Sequence, residues 1–335
     1  MRAARTPGDG APGAAPVQVR GPVLTVRRID AYHAVTMVAP PIAARFRPGQ
    51  FVTVAAGGPD SPLLLRRAFA IHDVRPDHGG TVEFVFTAGE PGTRWLAKLR
   101  SRDMLDAAGP LGRPFPVPRG SVNCLLAGAG EGATALFPLA GRLRERGCQI
   151  DFLLGAGSAD HVFGALRARR IARSATITTE DGSLGTRGVV TDLLSQVIHE
   201  ARTDVIYASA PLPVLRDATA LAGRYGVPVQ ACVPQAAGCG TGVCMSCVLP
   251  VAGSDGITRM VRSCVDGPVF RGDMVRWDDV GTIPFDALGA PGWKPPRGHA
   301  APGGHAAARS AAAPPGPDRS RDGASRPPRQ AGRAG

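Results

Sequence analysis

Residues 238–247 read Gly238-Cys239-Gly240-Thr241-Gly242-Val243-Cys244-Met245-Ser246-Cys247, and a further cysteine, Cys264, follows after sixteen intervening residues. The spacing C-x4-C-x2-C…C is one by which four thiolates hold a [2Fe–2S] cluster. The expected ligands are Cys239, Cys244, Cys247 and Cys264. Gly238, Gly240 and Gly242 free the loop to wrap closely around such a group, with backbone N–H groups pointed at its sulfurs. A structural zinc site is the competing reading. Zinc usually draws on two C-x2–4-C pairs, and here the second half supplies one cysteine. Of the seven cysteines, Cys124, Cys148 and Cys232 fall in predicted strands or at a helix end and read as small buried apolar residues.

The cysteine segment, taken as residues 236–287, is too short to fold on its own without a metal. Upstream of it, residues 119–235 alternate strand and helix. Val122–Ala127, Ile150–Leu154, Ala175–Thr179, Val205–Ala208 and Val227–Cys232 are apolar runs of strand length. Ala133–Arg146 repeats apolar residues at helical spacing, and Val162, Phe163 and Leu166 suggest a short helix. This rhythm predicts a doubly wound parallel sheet. Gly128-Ala129-Gly130-Glu131-Gly132 follows its first strand and opens a helix, where glycines let the backbone approach a phosphate. Many such turns are glycine-rich only for packing, and Glu131 places an anion where a phosphate would sit.

Residues 21–118 read differently. Short β-branched runs at Val23–Val26, Ala34–Val38, Phe51–Val54 and Val82–Phe86 lie between Pro and Gly clusters, which predicts a small antiparallel β-barrel. Trp95, Leu96 and Leu99 suggest one helix after Gly92. Arg66 and Arg67 are either a solvated face or a phosphate clamp. The fold class is therefore mixed β and α/β: barrel, doubly wound sheet, small cluster domain. Residues 1–20 and 288–335 are rich in Ala, Pro, Gly and Arg and are expected to be disordered tails.

The formal net charge of +12 does not indicate a nucleic-acid protein. Two-thirds of it sits in the ends: eight basic residues from Lys294 onward against Asp318 and Asp322, and Arg2, Arg5 and Arg20 against Asp9. Neither a nucleic acid nor a membrane is expected as a partner. No run of 18 apolar residues and no apolar leader segment stands out, and a cytoplasmic location is expected.

These pieces together resemble the ferredoxin–NADP reductase superfamily, and within it the iron–sulfur electron-transfer subunits of class 1B dihydroorotate dehydrogenase. Cys239-Gly-Thr-Gly-Val-Cys244-Met-Ser-Cys247 is similar to that family's CGxGxCxxC, and Cys264-Val-Asp-Gly-Pro-Val-Phe270 to its C-x-DGPVF. Arg67-Ala68-Phe69-Ala70 falls on the family's R-P-x-S flavin motif, Val85-Phe86-Thr87 on the strand after it, and Gly92-Thr93 on its G-T pair. The resemblance implies FAD as a cofactor, with Arg67 and the Gly92 and Thr93 amides at its phosphates. It implies NAD at Gly128, Gly130 and Gly132. Asp181-Gly-Ser183-Leu-Gly185 and Gly188-Val-Val-Thr191-Asp192 match the family's nucleotide half. Ala68, Ala70, Ala129 and Glu131 depart from it, and Ser209-Ala210-Pro211 stands where the family has C-G-P.

By this resemblance the chain is an oxidoreductase subunit. An FMN-containing dihydroorotate dehydrogenase catalytic subunit is the implied partner, in a heterotetramer of two plus two. Electrons from dihydroorotate would pass through the cluster and FAD to NAD⁺, in pyrimidine (UMP) biosynthesis. No residue is expected to act as a catalytic acid or base. Two other readings stand beside it: an NAD(P)H-dependent flavin and iron–sulfur reductase serving another oxygenase or biosynthetic enzyme, and a non-catalytic assembly subunit.

Overall fold

The computed structural model describes residues 15–294 except 59–60, 78 and 235–237. Six strands close into an antiparallel barrel: β1 (Val17–Ile29), β2 (Tyr32–Val38), β3 (Phe51–Val54), β4 (Arg67–Arg75), β5 (Thr81–Thr87) and β6 (Met104–Leu111), in the order β1-β2-β5-β4-β3-β6. Alternation drives the closure. Val82, Phe84 and Phe86 of β5 turn inward with Val35 and Met37 of β2, Ile71 of β4 and Leu105 and Ala107 of β6. Two short helices, α1 (Pro40–Ala43) and α2 (Pro91–Leu96), pack on the barrel, each started by proline.

Both tails differ in part from the sequence expectation. β1 begins at Val17, inside the stretch expected to be disordered, because its first half pairs with β6 from Val17↔Gly109 to Pro22↔Met104. Residues 288–294 were also expected to be disordered, yet Leu288 N–H donates to the Thr258 carbonyl at 2.8 Å. The rest of both tails, residues 1–14 and 295–335, lies outside the described residues.

The second part is a seven-stranded sheet in the order β10-β9-β8-β7-β11-β12-β15. Its strands are β7 (Asn123–Ala129), β8 (Gln149–Ala156), β9 (Ser174–Thr179), β10 (Thr186–Arg187), β11 (Val205–Ser209), β12 (Val229–Cys232) and, after the hairpin described next, β15 (Val269–Arg271). The pairs from β10 through β12 are parallel. β7, β8 and β11 are nearly continuous apolar runs because both sheet faces are covered. Helices α3 (Leu136–Glu145) and α4 (Ala165–Ile171) cover one face, and α5 (Val190–Ala201) and α6 (Leu212–Arg224) the other. The expected helix start at Ala133 moves to Leu136, since a 3-10 turn spans Gly130–Ala135. Val162 and Phe163 precede α4 rather than lie in it, because Gly164 takes a left-handed φ of 73° at the cap.

The cysteine loop leads into a hairpin, β13 (Val248–Ala252) and β14 (Thr258–Arg262), and a short helix α7 (Ser263–Asp266). The next strand, β15, joins the large sheet antiparallel to β12. The cysteine segment thus anchors itself by lending an edge strand to its neighbour, a way to fix a piece too small to hold its own core.

Candidate functional site

β7 is the switch point of the sheet: β8 lies on one side and β11 on the other. Ligands of open α/β sheets bind outside the carboxyl ends of strands at such a point. A cleft of about 680 Å³ opens there, between the ends of β7 and β11 and the barrel wall. It is lined by Ala68, Phe69, Ala70, Val85 and Thr87 from the barrel, and by Gly130, Glu131, Gly132, Ser209 and Ala210 from the sheet side. Ala68, Phe69, Ala70, Val85 and Thr87 of the expected flavin set therefore meet Gly130 and Gly132 of the expected nucleotide set in one cavity.

The expected residues divide by role. Phe86 turns away from the cleft and is fully buried in the barrel core, as alternation along β5 requires. Gly128 also lies beneath the cleft: a Cβ there would sit 2.9 Å from Ala133, so this glycine serves strand-to-helix packing. Gly132 allows a different close approach, since a Cβ would come within 2.5 Å of the Ser209 carbonyl oxygen. Arg67, Gly92 and Thr93 form a second cluster beside Ala68. Arg67 Nε is buried without a hydrogen-bond partner among the described residues, its nearest counter-charge being Glu90 Oε2 at 3.6 Å, and a Cβ on Gly92 would lie 3.2 Å from it. A buried donor of this kind is costly unless a ligand accepts from it. At the first turn of α2, amides also present donors. This donor set fits an anionic phosphate of FAD. Arg66, by contrast, is spent on Asp106 at 2.8 Å.

Asp181-Gly-Ser183 is a structural turn. Asp181 Oδ1 accepts from Ser183 N at 2.9 Å and Ser183 Oγ at 2.6 Å, and Ser183 Oγ accepts from Ala159 N at 2.8 Å. Asp192 Oδ2 accepts from Val189 N at 2.9 Å and caps α5. These bonds of the well-matched stretch 181–192 shape the loop that follows Glu180 on the cleft wall.

Cys232 carries a signal that sequence reading missed. It is buried and in a strand, as expected, yet it also lines the cleft. In the parallel register it is the partner of Ser209, whose side chain favours the ionised sulfur. Burial nonetheless pushes the Cys232 thiol up to about 12. Only the β11–β12 pairing brings these two residues together.

The four expected ligands fall into two pairs. Cys247 and Cys264 are buried together against Phe51 and Leu111 of the barrel. Burial, and then Cys247, push the Cys264 thiol up to about 12. Cys239 and Cys244 form the outer pair, with Cys244 exposed. Cys239 Sγ accepts from the amides of Thr241 (3.4 Å), Val243 (3.3 Å) and Cys244 (3.4 Å). Burial opposes ionisation of Cys239, but the Cys244 and Thr241 amides outweigh it and hold the thiol at about 6. Gly240 makes this loop possible: its φ is +74°, and a Cβ would lie 2.6 Å from Thr53 Cγ2. Among the described residues no three His, Cys, Asp or Glu side chains converge as a single-ion site. Two tetrahedral irons that share two sulfides need two thiolates each, and two pairs of thiols fit that demand.

The two sites share a wall. Phe51 and Ala68 pack against the buried cysteine pair and also line the cleft. The seam between barrel and sheet is pinned on one side by Tyr32 Oη donating to His161 O at 2.7 Å, and on another by Tyr207 Oη donating to Pro116 O at 2.8 Å.

This combination defines a protein of the ferredoxin reductase class. A solved NADH-dependent reduced ferredoxin-NADP oxidoreductase has 29% identity and a TM-score of 0.68, covering 78% of this chain and 91% of that one. A ferredoxin NADP⁺ reductase from Neisseria gonorrhoeae shares the fold at 14% identity, with a TM-score of 0.52 and coverage of 62% and 92%. Residues 236–276 match the family described as the iron-sulfur cluster binding domain of dihydroorotate dehydrogenase B. The dihydroorotate dehydrogenase B (NAD(+)) electron transfer subunit of Bacillus caldolyticus is 38% identical over 233 residues, 67% of this chain and 85% of that protein. The Thermotoga maritima electron transfer subunit homolog is 31% identical over 242 residues, 72% and 82%. The chain belongs to the family of dihydroorotate dehydrogenase B electron transfer subunits.

Proposed function

We propose that this chain is the electron-transfer subunit of a dihydroorotate dehydrogenase, carrying reducing equivalents from a partner that oxidises dihydroorotate to NAD⁺, in pyrimidine biosynthesis. The observation that carries this reading is the shared wall: Phe51 and Ala68 bound both the cysteine pair and the cleft. Cys239, Cys244, Cys247 and Cys264 would hold the [2Fe–2S] cluster. Arg67, Gly92 and Thr93 would take the phosphates of FAD, with Ala68, Phe69, Ala70, Val85 and Thr87 around the flavin. Gly130 and Gly132 would receive the nicotinamide nucleotide. When bound, the cluster supplies one-electron transfer, and the flavin joins single electrons to two-electron chemistry. The protein's part is to bind, to orient and to exclude water.

The partner would dock on the outer cysteine pair. Leu64 (92% exposed), Val243 (79%), Met245, Leu65 and Val265 leave an apolar surface beside Cys244. Leu65 lies against Gly238 and Val265 against Gly242. Large exposed apolar residues grouped in this way mark an interaction face. The partner is proposed to carry FMN and to assemble as two plus two. Among the described residues no helix is long and apolar enough to cross a membrane, and we propose a cytoplasmic location.

Anaerobically purified protein is expected to contain iron, acid-labile sulfide and FAD. Mixed with a dihydroorotate dehydrogenase catalytic subunit, it is expected to form NADH from dihydroorotate and NAD⁺. Absence of both iron and flavin would overturn the reading. The likeness to the NADH-dependent ferredoxin-NADP oxidoreductase favours a second reading, a reductase for another partner. NADH oxidation with artificial acceptors, but no complex with the dihydroorotate-oxidising subunit, would decide for it.

A further inference from the structure

Glu131 is an acid on a turn where a phosphate-binding role asks for a bare backbone. The structure shows where its charge goes. The carboxylate leaves its own turn and crosses to the end of β5. There Glu131 Oε2 accepts from Thr87 N at 3.2 Å and from Thr87 Oγ1 at 3.3 Å. Thr87 and Val85 of that strand line the cleft with Ala68, Phe69 and Ala70. The acid is therefore tied to the flavin wall of the cleft and not to the mouth of the nucleotide turn. Its side chain is open to solvent through the cleft, although protein surrounds it on the other sides.

The charged and titratable neighbours do not neutralise it. Tyr32 faces it from β2, with its hydroxyl committed to His161 O. Glu90, before α2, is a like charge. His161 and Glu180 stand on the cleft walls. Among the described residues no cation forms an ion pair with Glu131. Burial is the largest influence on its carboxyl and raises it, the Thr87 hydrogen bonds oppose that, and Glu90 adds to the rise.

We propose that Glu131 sets the reduction potential of FAD bound in this cleft and makes that potential depend on pH through its own protonation. The proposal rests on the flavin reading above. Reduction of FAD at neutral pH takes up two electrons and one proton and leaves the anion FADH⁻. A carboxylate held at the flavin wall opposes that added charge. Protonated, it donates a hydrogen bond and the opposition ends. The charge thus favours onward transfer of electrons at neutral pH and retention of them in acid.

The test is spectroelectrochemistry of the FAD-loaded protein from pH 5.5 to 9, with the electrode supplying the electrons. Glu131→Gln is expected to raise the potential at neutral pH by a tenfold shift in the oxidation equilibrium, about 30 mV for a two-electron couple. The wild type should show a break in its potential–pH curve that Glu131→Gln lacks. Thr87→Val removes one donor to the carboxylate, and it should move that break to higher pH without abolishing it. This second variant decides the matter should Glu131→Gln fail to fold. If FAD binds and both curves match the wild type, the inference falls while the flavin reading stands. Wild-type protein that takes up no FAD overturns both. An unchanged potential in Glu131→Gln with NADH bound tenfold more tightly would put the charge at the nucleotide phosphates, and that too overturns the proposal.

Discussion

Two glycine-rich loops in this molecule differ sharply in legibility. The loop at 238–247 offers backbone donors to an anion, and the turn at 128–132 is proposed to do the same. In the first, the anion is the chain's own: three amides already point at Cys239 Sγ. In the second, the anion would be the phosphate of the proposed nucleotide, and the turn's own acid bonds Thr87 instead. The first loop carries its chemistry in side chains, and the second carries it in backbone shape. A side-chain site leaves a strict spacing in the sequence. A backbone site leaves only glycines, which packing also demands.

The strongest way to break this contrast is to remove a ligand. Cys264→Ser is expected to lower bound iron and acid-labile sulfide by more than about tenfold, since the metal and the fold of its loop stabilise each other. FAD content should stay near the wild-type level. Loss of FAD in parallel with iron would show that the two ends are not separable. Gly240→Ala should come next. It forces a left-handed φ on a residue with a Cβ, at about 1–2 kcal/mol, and presses that atom against Thr53 and Leu111. Faster loss of the cluster's visible absorbance on warming is the readout.

At the other end, Gly132→Ala tests the turn. The new Cβ would meet the Ser209 carbonyl oxygen and drive the turn away from β11. NADH affinity is expected to fall about tenfold, a loss of about 1.4 kcal/mol. Iron content should be unchanged. An unaltered NADH titration would mean that the turn does not hold the nucleotide.

The same contrast explains what the sequence reveals. The four candidate ligands, the barrel and the doubly wound order are legible from cysteine spacing and hydrophobic rhythm. β15 is not, because three residues carry no period and their pairing with β12 is a long-range choice. The Ser209–Cys232 contact depends on the β11–β12 register. The swing of Glu131 to Thr87 joins residues 44 apart, and no local pattern encodes it. The 181–192 stretch matches a nucleotide half strongly, and in the structure its side chains build a turn and a helix cap.

The smallest expected effect concerns the seam that holds the nucleotide turn against the barrel. His72 is buried there. The Thr134 carbonyl oxygen lies 2.9 Å from Nδ1 and can only accept, so Nδ1 carries the proton. Arg167 then donates to Nε2 at 3.0 Å, which requires a neutral ring. Burial is the main influence that lowers the His72 pKa. The Thr134 carbonyl opposes it, Arg167 adds to it, and Glu83 and Asp73 oppose it. A histidine with a depressed folded pKa binds its proton more readily when unfolded. Its contribution to stability is therefore complete above the unfolded value of about 6.5 and is lost as pH falls below it, by at most about 1.4 kcal/mol per pH unit. His72→Gln keeps a donor and an acceptor but cannot titrate. Denaturant unfolding followed between pH 7.5 and 5 should show a shallower decline in the variant than in the wild type. Iron release from the cysteine loop should be the same in both, because the hydrogen bonds of His72 run to Thr134 and Arg167. Equal slopes of unfolding would remove His72 from the acid response, and a change in iron release would couple the two ends that the cysteine and glycine variants are meant to separate.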